Sequence, residues 1–367
     1  MRYAAITLVC LLISSLFYPA SGQANPKVSA NNAILIEQSS GRVLFERQAH
    51  EQQPIASITK IMTAIIAIES GELNESVTIS NRAVNTIGSS IYLEEGEKMK
   101  LKDLVYGLML RSGNDAAVAI SEHVGGSLEG FVHLMNKKAQ WLGMTNTSFD
   151  NPHGLDSDNH YSTAYDMAVL MRYALDNDTF REITKTRRYK SEKRAYSWKN
   201  KHKLLTGMYE HTNGGKTGFT RIAGRTLVSS ALKGDMELVA VTLDGPDDWR
   251  DHIGMFDWGF DNYDMTTIDQ KGETIYQMTD SGNKVTGYLH RDITLPLQKN
   301  EQKEIRSKSF ILQDNTSAAE DVIGKTIYFV DAVPVTETPI YSKRHDSAFL
   351  NDIVSVYQSI TGFDPNG

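Results

Sequence analysis

The sequence predicts an α+β domain, then a small all-β domain, then a terminal amphipathic helix. Strand-like runs at both ends of residues 25–265 enclose a helical middle, so one sheet is completed by the two ends of that segment. From 266 to 344, runs such as TGYLHRDITLPL and KTIYFVDAVPV alternate apolar and polar residues between Gly, Pro, Asn and Asp. Over 345–367, Phe349, Ile353, Val356, Ile360 and Phe363 fall on one helical stripe.

Residues 1–24 precede the fold. One positive charge (Arg2), an apolar run from Ala4 to Tyr18 and small residues up to Ala24 have the form of a secretory signal peptide cleaved after Ala24. The only cysteine, Cys10, lies within it, and Val9 is not the small residue that precedes a lipidated cysteine. The mature chain is therefore expected to lack thiol chemistry and to work outside the cytoplasm. With 40% apolar residues in 367, it can bury a sizeable core. Removing Arg2 takes the net charge from −7 to −8, and an acidic chain without basic runs excludes nucleic acid as a partner.

AILIEQSSGRVLFER (33–47) reads as a hairpin around Ser-Ser-Gly. Helical patterns follow near 54–70, 101–110, 115–123, 128–141 and 163–176. Strand patterns return near 211–219, 224–232 and 237–243, before a helical run at 250–262.

The helix predicted over 54–70 is apolar nearly all round, yet it carries Lys60 three residues after Ser57. Residues at i and i+3 share a helical face. Burial penalises the charged form of lysine, and a neutral amine beside a hydroxyl can take its proton. Pro54 suits a helix start, which would set Ser57 near free backbone N–H groups able to hold an oxyanion. Ser-x-x-Lys alone is weak, since it recurs at Ser230–Lys233 and Ser281–Lys284 without helical context.

Two companions strengthen it. GGKTGFT (214–220) holds the only Lys-Thr-Gly, in which Lys216 and Thr217 offer an ammonium and a hydroxyl to a carboxylate and Gly218 admits a ligand close to the backbone. Ser-x-Asn has four candidates, at Ser29, Ser112, Ser157 and Ser281. Ser157-Asp158-Asn159 lies in a polar, loop-like run. Ser112-Gly113-Asn114 breaks an apolar helical core between LVYGLML and AAVAI, which favours Ser112 and Asn114 as the inward-facing pair.

Ser-x-x-Lys, Ser-x-Asn and Lys-Thr-Gly in this order resemble the penicillin-recognising serine enzymes. ASITKIMTA, LMLRSGNDAAVAI, NPHGLD with HYSTAYDMA, and GGKTGFT narrow the resemblance to low-molecular-mass D-alanyl-D-alanine carboxypeptidases of peptidase family S11. The longer stretches lean towards sporulation-type members. The resemblance implies a β-lactamase/penicillin-binding-protein transpeptidase-like domain, with an antiparallel sheet and a helical lobe. It implies that Ser57 attacks the bond between the last two D-alanines of peptidoglycan stem peptides, with Lys60 as base and Ser112 as proton relay. Asn114 would hold the peptide amide, Lys216, Thr217 and Gly218 the terminal carboxylate, and the N–H groups of Ser57 and Phe219 the oxyanion. β-Lactams would be covalent inhibitors and no cofactor would be needed.

A D,D-endopeptidase acting on cross-links, or a β-lactamase, would use the same residues, whereas a non-catalytic envelope-binding protein would show degenerate motifs. The family's arginine after the last sheet strand is offset here, at Arg250. His153 reads as a structural loop residue, and no spacing around His160 or His211 supports a metal. The terminal stripe would either give peripheral membrane contact or pack on the β-domain or on a partner, and the enzyme is expected at the outer face of the membrane or cell wall, or in the forespore envelope.

Overall fold

The computed structural model describes residues 25–277, 284–312 and 322–342. The expected leader with Cys10, Ser281, and the stripe from Phe349 to Phe363 lie outside the described residues.

Strands Asn32–Glu37 (β1), Val43–Arg47 (β2), Thr212–Thr220 (β3), Gly224–Lys233 (β4) and Met236–Leu243 (β5) form an antiparallel sheet in the order β2–β1–β5–β4–β3. The two ends of the segment do complete one sheet, since β1 pairs with β5 through Ile34↔Val241 and Ile36↔Val239. Alternate residues serve opposite faces. Ile34, Ile36, Val228, Val239 and Val241 join the core beneath the helical lobe. Ala33, Leu35, Leu227, Leu238 and Ala240 pack on the other side against Met255 and Phe256.

The lobe contains Lys60–Glu69 (α1), Leu101–Arg111 (α2), Asn114–Val124 (α3), Leu128–Trp141 (α4), Ala164–Leu175 (α5) and Asp178–Lys185 (α6); Asp248–Asn262 (α7) backs the sheet. Ser127, Thr163 and Asn177 cap α4, α5 and α6 by accepting a backbone N–H three residues on. Residues 60 to 68 of α1 are all buried, as the all-round apolar pattern requires. One detail differs from the sequence expectation. The run 54–70 is not one helix, because Ala56 has φ of 50° and Ala56–Thr59 forms a 3₁₀ turn before α1 begins at Lys60.

Beyond α7 every described element is a strand except a short 3₁₀ turn at Glu301–Lys303. Asp264–Asp269 pairs with Ile293–Leu297, and five strands between Gly272 and Tyr341 form a second antiparallel sheet. Arg42, next to β2, ties the two parts together by a bidentate pair with Glu301, at 2.9 and 2.5 Å, and a bond to the Pro296 carbonyl. Among the described residues, no helix is long and apolar enough to cross a membrane.

Candidate active site

The 3₁₀ turn, the α2–α3 junction and edge strand β3 converge on a cleft of about 320 Å³, lined by Ser57, Ser112, Thr217, Gly218 and Phe219 among others. Ala56 is held in a left-handed conformation immediately before Ser57, a strained arrangement that surrounding contacts must enforce. Thr226 Oγ1 donates to the Ile55 carbonyl at 2.9 Å and Thr59 Oγ1 to the Ala56 carbonyl at 2.8 Å. Gly154 passes so close that a Cβ there would sit 1.9 Å from the Ala56 oxygen. Gly218 likewise lets β3 approach the turn, since a Cβ would fall 2.9 Å from the Ser57 nitrogen and 2.4 Å from Thr226 Oγ1.

Lys60 is fully buried. Its Nζ lies 2.9 Å from Ser57 Oγ, 2.8 Å from Asn114 Oδ1 and 2.5 Å from the His153 carbonyl oxygen. Burial lowers its pKa well below the ordinary lysine value, and the positive charges of Lys216 and Lys201 add to that. A neutral amine has two N–H groups and one lone pair. Two of its three neighbours, an amide oxygen and a backbone carbonyl, can only accept. The lone pair is then left facing the one neighbour able to donate, the Ser57 hydroxyl. Such an arrangement could take a proton from the hydroxyl.

Ser112 ends α2 in a left-handed conformation (φ 64°), which turns its hydroxyl into the cleft. Lys216 Nζ donates to Ser112 Oγ at 3.1 Å and to the Thr217 carbonyl at 2.7 Å. Burial and then Lys201 push the Lys216 pKa down to about 7, so a carboxylate bound there would favour its charged form. Asn114 opens α3 with both ends of its amide engaged, Oδ1 by Lys60 and Nδ2 by the Ile87 carbonyl at 2.7 Å. It orients Lys60, and each end retains one further hydrogen-bonding valence.

Other sequence candidates lie elsewhere. Ser157 is in an exposed loop, donating to Asp150 Oδ2. Ser230 is buried on β4, and Ser29 donates to Asp251. His160 is not placed as a metal ligand. Its Nδ1 accepts from the Asp150 N–H, so Nε2 carries the proton and donates to Thr59 Oγ1 at 2.8 Å, bracing the Ser57 turn. Burial lowers its pKa to about 4, and His153 to about 3 for the same cause. His211 neighbours Glu210.

Arg250 does not reach the cleft. Its side chain is 83% exposed and pairs with Asp247 at 3.4 Å. A guanidinium does line the cleft, from Arg225 on β4, opposite Phe219 in the β3–β4 register. Arg225 Nε and Nη2 donate to Asp248 Oδ1 at 3.0 and 2.5 Å, and its guanidinium lies 5.6 Å from the Trp249 ring centroid. Lys201 adds a second cation, with its Nζ 3.3 Å from Ser89 Oγ. Sequence reasoning missed Arg225, Lys201 and Trp249. The only signal for Arg225 was its distance from Phe219 across a tight β3–β4 turn.

A sequence profile described as D-alanyl-D-alanine carboxypeptidase matches residues 20–247, and one described as penicillin-binding protein 5, C-terminal domain, matches residues 260–347. The chain is 33% identical over 333 residues to D-alanyl-D-alanine carboxypeptidase DacF of Bacillus subtilis, covering 86% of this chain and 85% of that one. It is 31% identical over 341 residues to DacA of Escherichia coli, covering 86% and 83%. Among solved structures, penicillin binding protein 5 from Haemophilus influenzae superposes with a TM-score of 0.75 at 28% identity, over 88% of this chain and 99% of that one.

Proposed function

This chain belongs to the D-alanyl-D-alanine carboxypeptidase family, and from that premise we propose how its residues perform the reaction. The protein is a serine-type D-alanyl-D-alanine carboxypeptidase that binds penicillin. Its substrates are peptidoglycan stem peptides, and it acts outside the cytoplasm.

In the proposed mechanism Lys60 takes the Ser57 proton as Oγ bonds to the carbonyl carbon of the penultimate D-alanine. The N–H groups of Ser57 and Phe219 hold the developing oxyanion. Ser112, bonded to Lys216, relays the proton from Lys60 by donating its own to the departing amide nitrogen as it receives the one Lys60 took, and the C–N bond breaks to release D-alanine. Lys216, Thr217, Arg225 and Lys201 receive its carboxylate, with Gly218 allowing the close approach. A water then attacks the ester, giving the shortened peptide and returning the proton to Ser57. Asn114 keeps Lys60 aimed and offers its remaining valences to the substrate amide.

The observation that carries this reading is the Lys60 amine, buried between two obligate acceptors and the Ser57 hydroxyl. Intact-mass spectrometry after benzylpenicillin treatment tests it. Wild type, Ser157→Ala and Ser230→Ala should each gain one antibiotic mass. Ser57→Ala should gain none while still turning over no pentapeptide. Labelling that survives Ser57→Ala would remove the assignment.

We also propose that the stripe from Phe349 to Phe363 gives peripheral membrane contact at the outer face of the membrane, in the forespore envelope, as the resemblance to sporulation-type members suggests. Truncation after Lys343 should abolish flotation with liposomes without altering the melting temperature. Flotation that persists without the stripe would contradict it.

A further inference from the structure

The two helices that begin in the cleft with Lys60 and Asn114 end together about 15 Å away, given the rise of 1.5 Å per residue over α1 and α3. Past the end of α1 the chain makes a turn in which Glu75 N donates to the Glu72 carbonyl at 2.8 Å. Ser70 Oγ accepts from the Glu72 N–H, and the Glu75 and Leu73 carbonyls accept from the N–H groups of Leu101 and Lys102. The turn is therefore held on both sides, and it presents Glu72 and Glu75 to His123 in the last turn of α3.

The distances are informative. His123 Nε2 is buried and makes no hydrogen bond, yet it lies 3.4 Å from Glu72 Oε2 and 3.4 Å from Glu75 Oε2. The three donor atoms lie within 4.8 Å of one another. A hydrogen bond from an imidazole to a carboxylate closes to about 2.7–2.9 Å when charged. Three N/O ligands about 2.0–2.1 Å from one tetrahedral ion are instead separated by about 3.3–3.4 Å. The two imidazole–carboxylate spacings are thus long for charged hydrogen bonds and match those of ligands sharing one cation. One imidazole and two carboxylates suit zinc-class ions rather than calcium or magnesium, which prefer all-oxygen shells. The C-terminal ends of both helices add negative partial charge at the same place. Glu72 and Glu75 are partly exposed, at 39% and 59%, so a fourth position opens to solvent.

We propose that Glu72, Glu75 and His123 form a binding site for a divalent zinc-class cation at the far end of the helices that carry Lys60 and Asn114. The ion clamps the ends of α1 and α3 together and takes no part in the hydrolytic chemistry. The ligands come from one turn and from a helix some fifty residues on, so no contiguous motif announces the site.

Equilibrium dialysis of the metal-free mature protein against zinc chloride tests the proposal, with wild type, Glu75→Ala and His123→Gln compared. Wild type should bind one zinc more per chain than either variant, with at least tenfold loss of affinity in each, and zinc should raise the melting temperature of wild type alone by a few degrees. Glu75 is exposed, so Glu75→Ala should fold and retain full carboxypeptidase activity even if His123→Gln does not. X-ray absorption should show a nitrogen and oxygen shell near 2.0–2.1 Å. Equal zinc binding by wild type and Glu75→Ala would overturn the proposal.

Discussion

The sheet-and-helix region and the C-terminal β region bury polar groups very differently. Below residue 263 the described interior holds Lys60, Lys216, Glu37, Asp103, Asp115, Asp166, Glu237, Asp248 and Asp251, together with His160, His202 and His252. Beyond it, among the described residues, the buried polar groups are hydroxyls, those of Thr326, Thr338 and Tyr328, with no charged side chain among them. Buried charge is costly unless paired, and most of these carboxylates are paired or hydrogen-bonded; Glu237 takes both carboxylate oxygens to Arg181, for example. Among the described residues, Lys60 and Lys216 have no carboxylate partner within salt-bridge distance. Burying such amines is costly, and that asymmetry is the reason for proposing that the chemistry lies in the first region. The described β region is held by ordinary strand pairing.

The contrast can be broken by removing one buried polar group from each region. Lys216→Ala should lower kcat/KM by on the order of 10²–10³, because Ser112 loses its donor and the carboxylate its cation. Thr326→Ala, which removes the 2.8 Å contact with Ser309 Oγ, should leave kcat/KM within twofold and cost on the order of 1 kcal/mol of stability. Comparable activity losses in the two variants would dissolve the distinction.

A second prediction sharpens the map within the first region. Arg225→Ala should raise KM about tenfold or more for a substrate with a free terminal carboxylate, and much less for its amide. Arg250→Ala should change neither constant by more than about twofold, since its side chain is solvated. The reverse ranking would restore the helix arginine to the pocket.

Acid should weaken the first region before the second. Burial lowers the folded-state pKa of His160 and His202 from 6.5 to about 4. Between these values the unfolded chain binds more protons, so stability present above pH 6.5 is lost as pH falls towards 4, by of order 2–3 kcal/mol per histidine. Melting followed by the Trp198 and Trp249 signals should drop over that window, and His160→Gln should flatten the drop. A pH-independent melting temperature between 6.5 and 4 would contradict the burial of these rings.

Much of the site was legible because its parts are short local patterns. Ser57 and Lys60 share one turn, Ser112 and Asn114 flank one helix break, and Lys216 to Phe219 follow one strand. The sheet was legible because alternation in 33–47 and 211–243 tracks its two faces. What stayed hidden depends on register and on loops. Arg225 reaches the cleft only because β4 sets it opposite Phe219, and Arg250 misses it because α7 begins at Asp248 and turns that side chain outward. The 3₁₀ turn at Ser57 stayed hidden because Gly154, nearly a hundred residues on, helps hold Ala56 at positive φ. The ribbons Ser76–Thr78 with Lys98–Lys100 and Arg188–Tyr189 with Trp198–Lys199 are too short for periodicity to register.

The central claim is that Lys60 is a neutral base and not a fixed positive charge. The second-order rate of acylation by penicillin in Lys60→Arg tests this most directly, because guanidinium keeps the charge but cannot give up its proton. With folding verified by an unchanged far-ultraviolet spectrum, the account predicts a rate lower by on the order of 10³, close to that of Lys60→Ala. A Lys60→Arg rate within tenfold of wild type would contradict it.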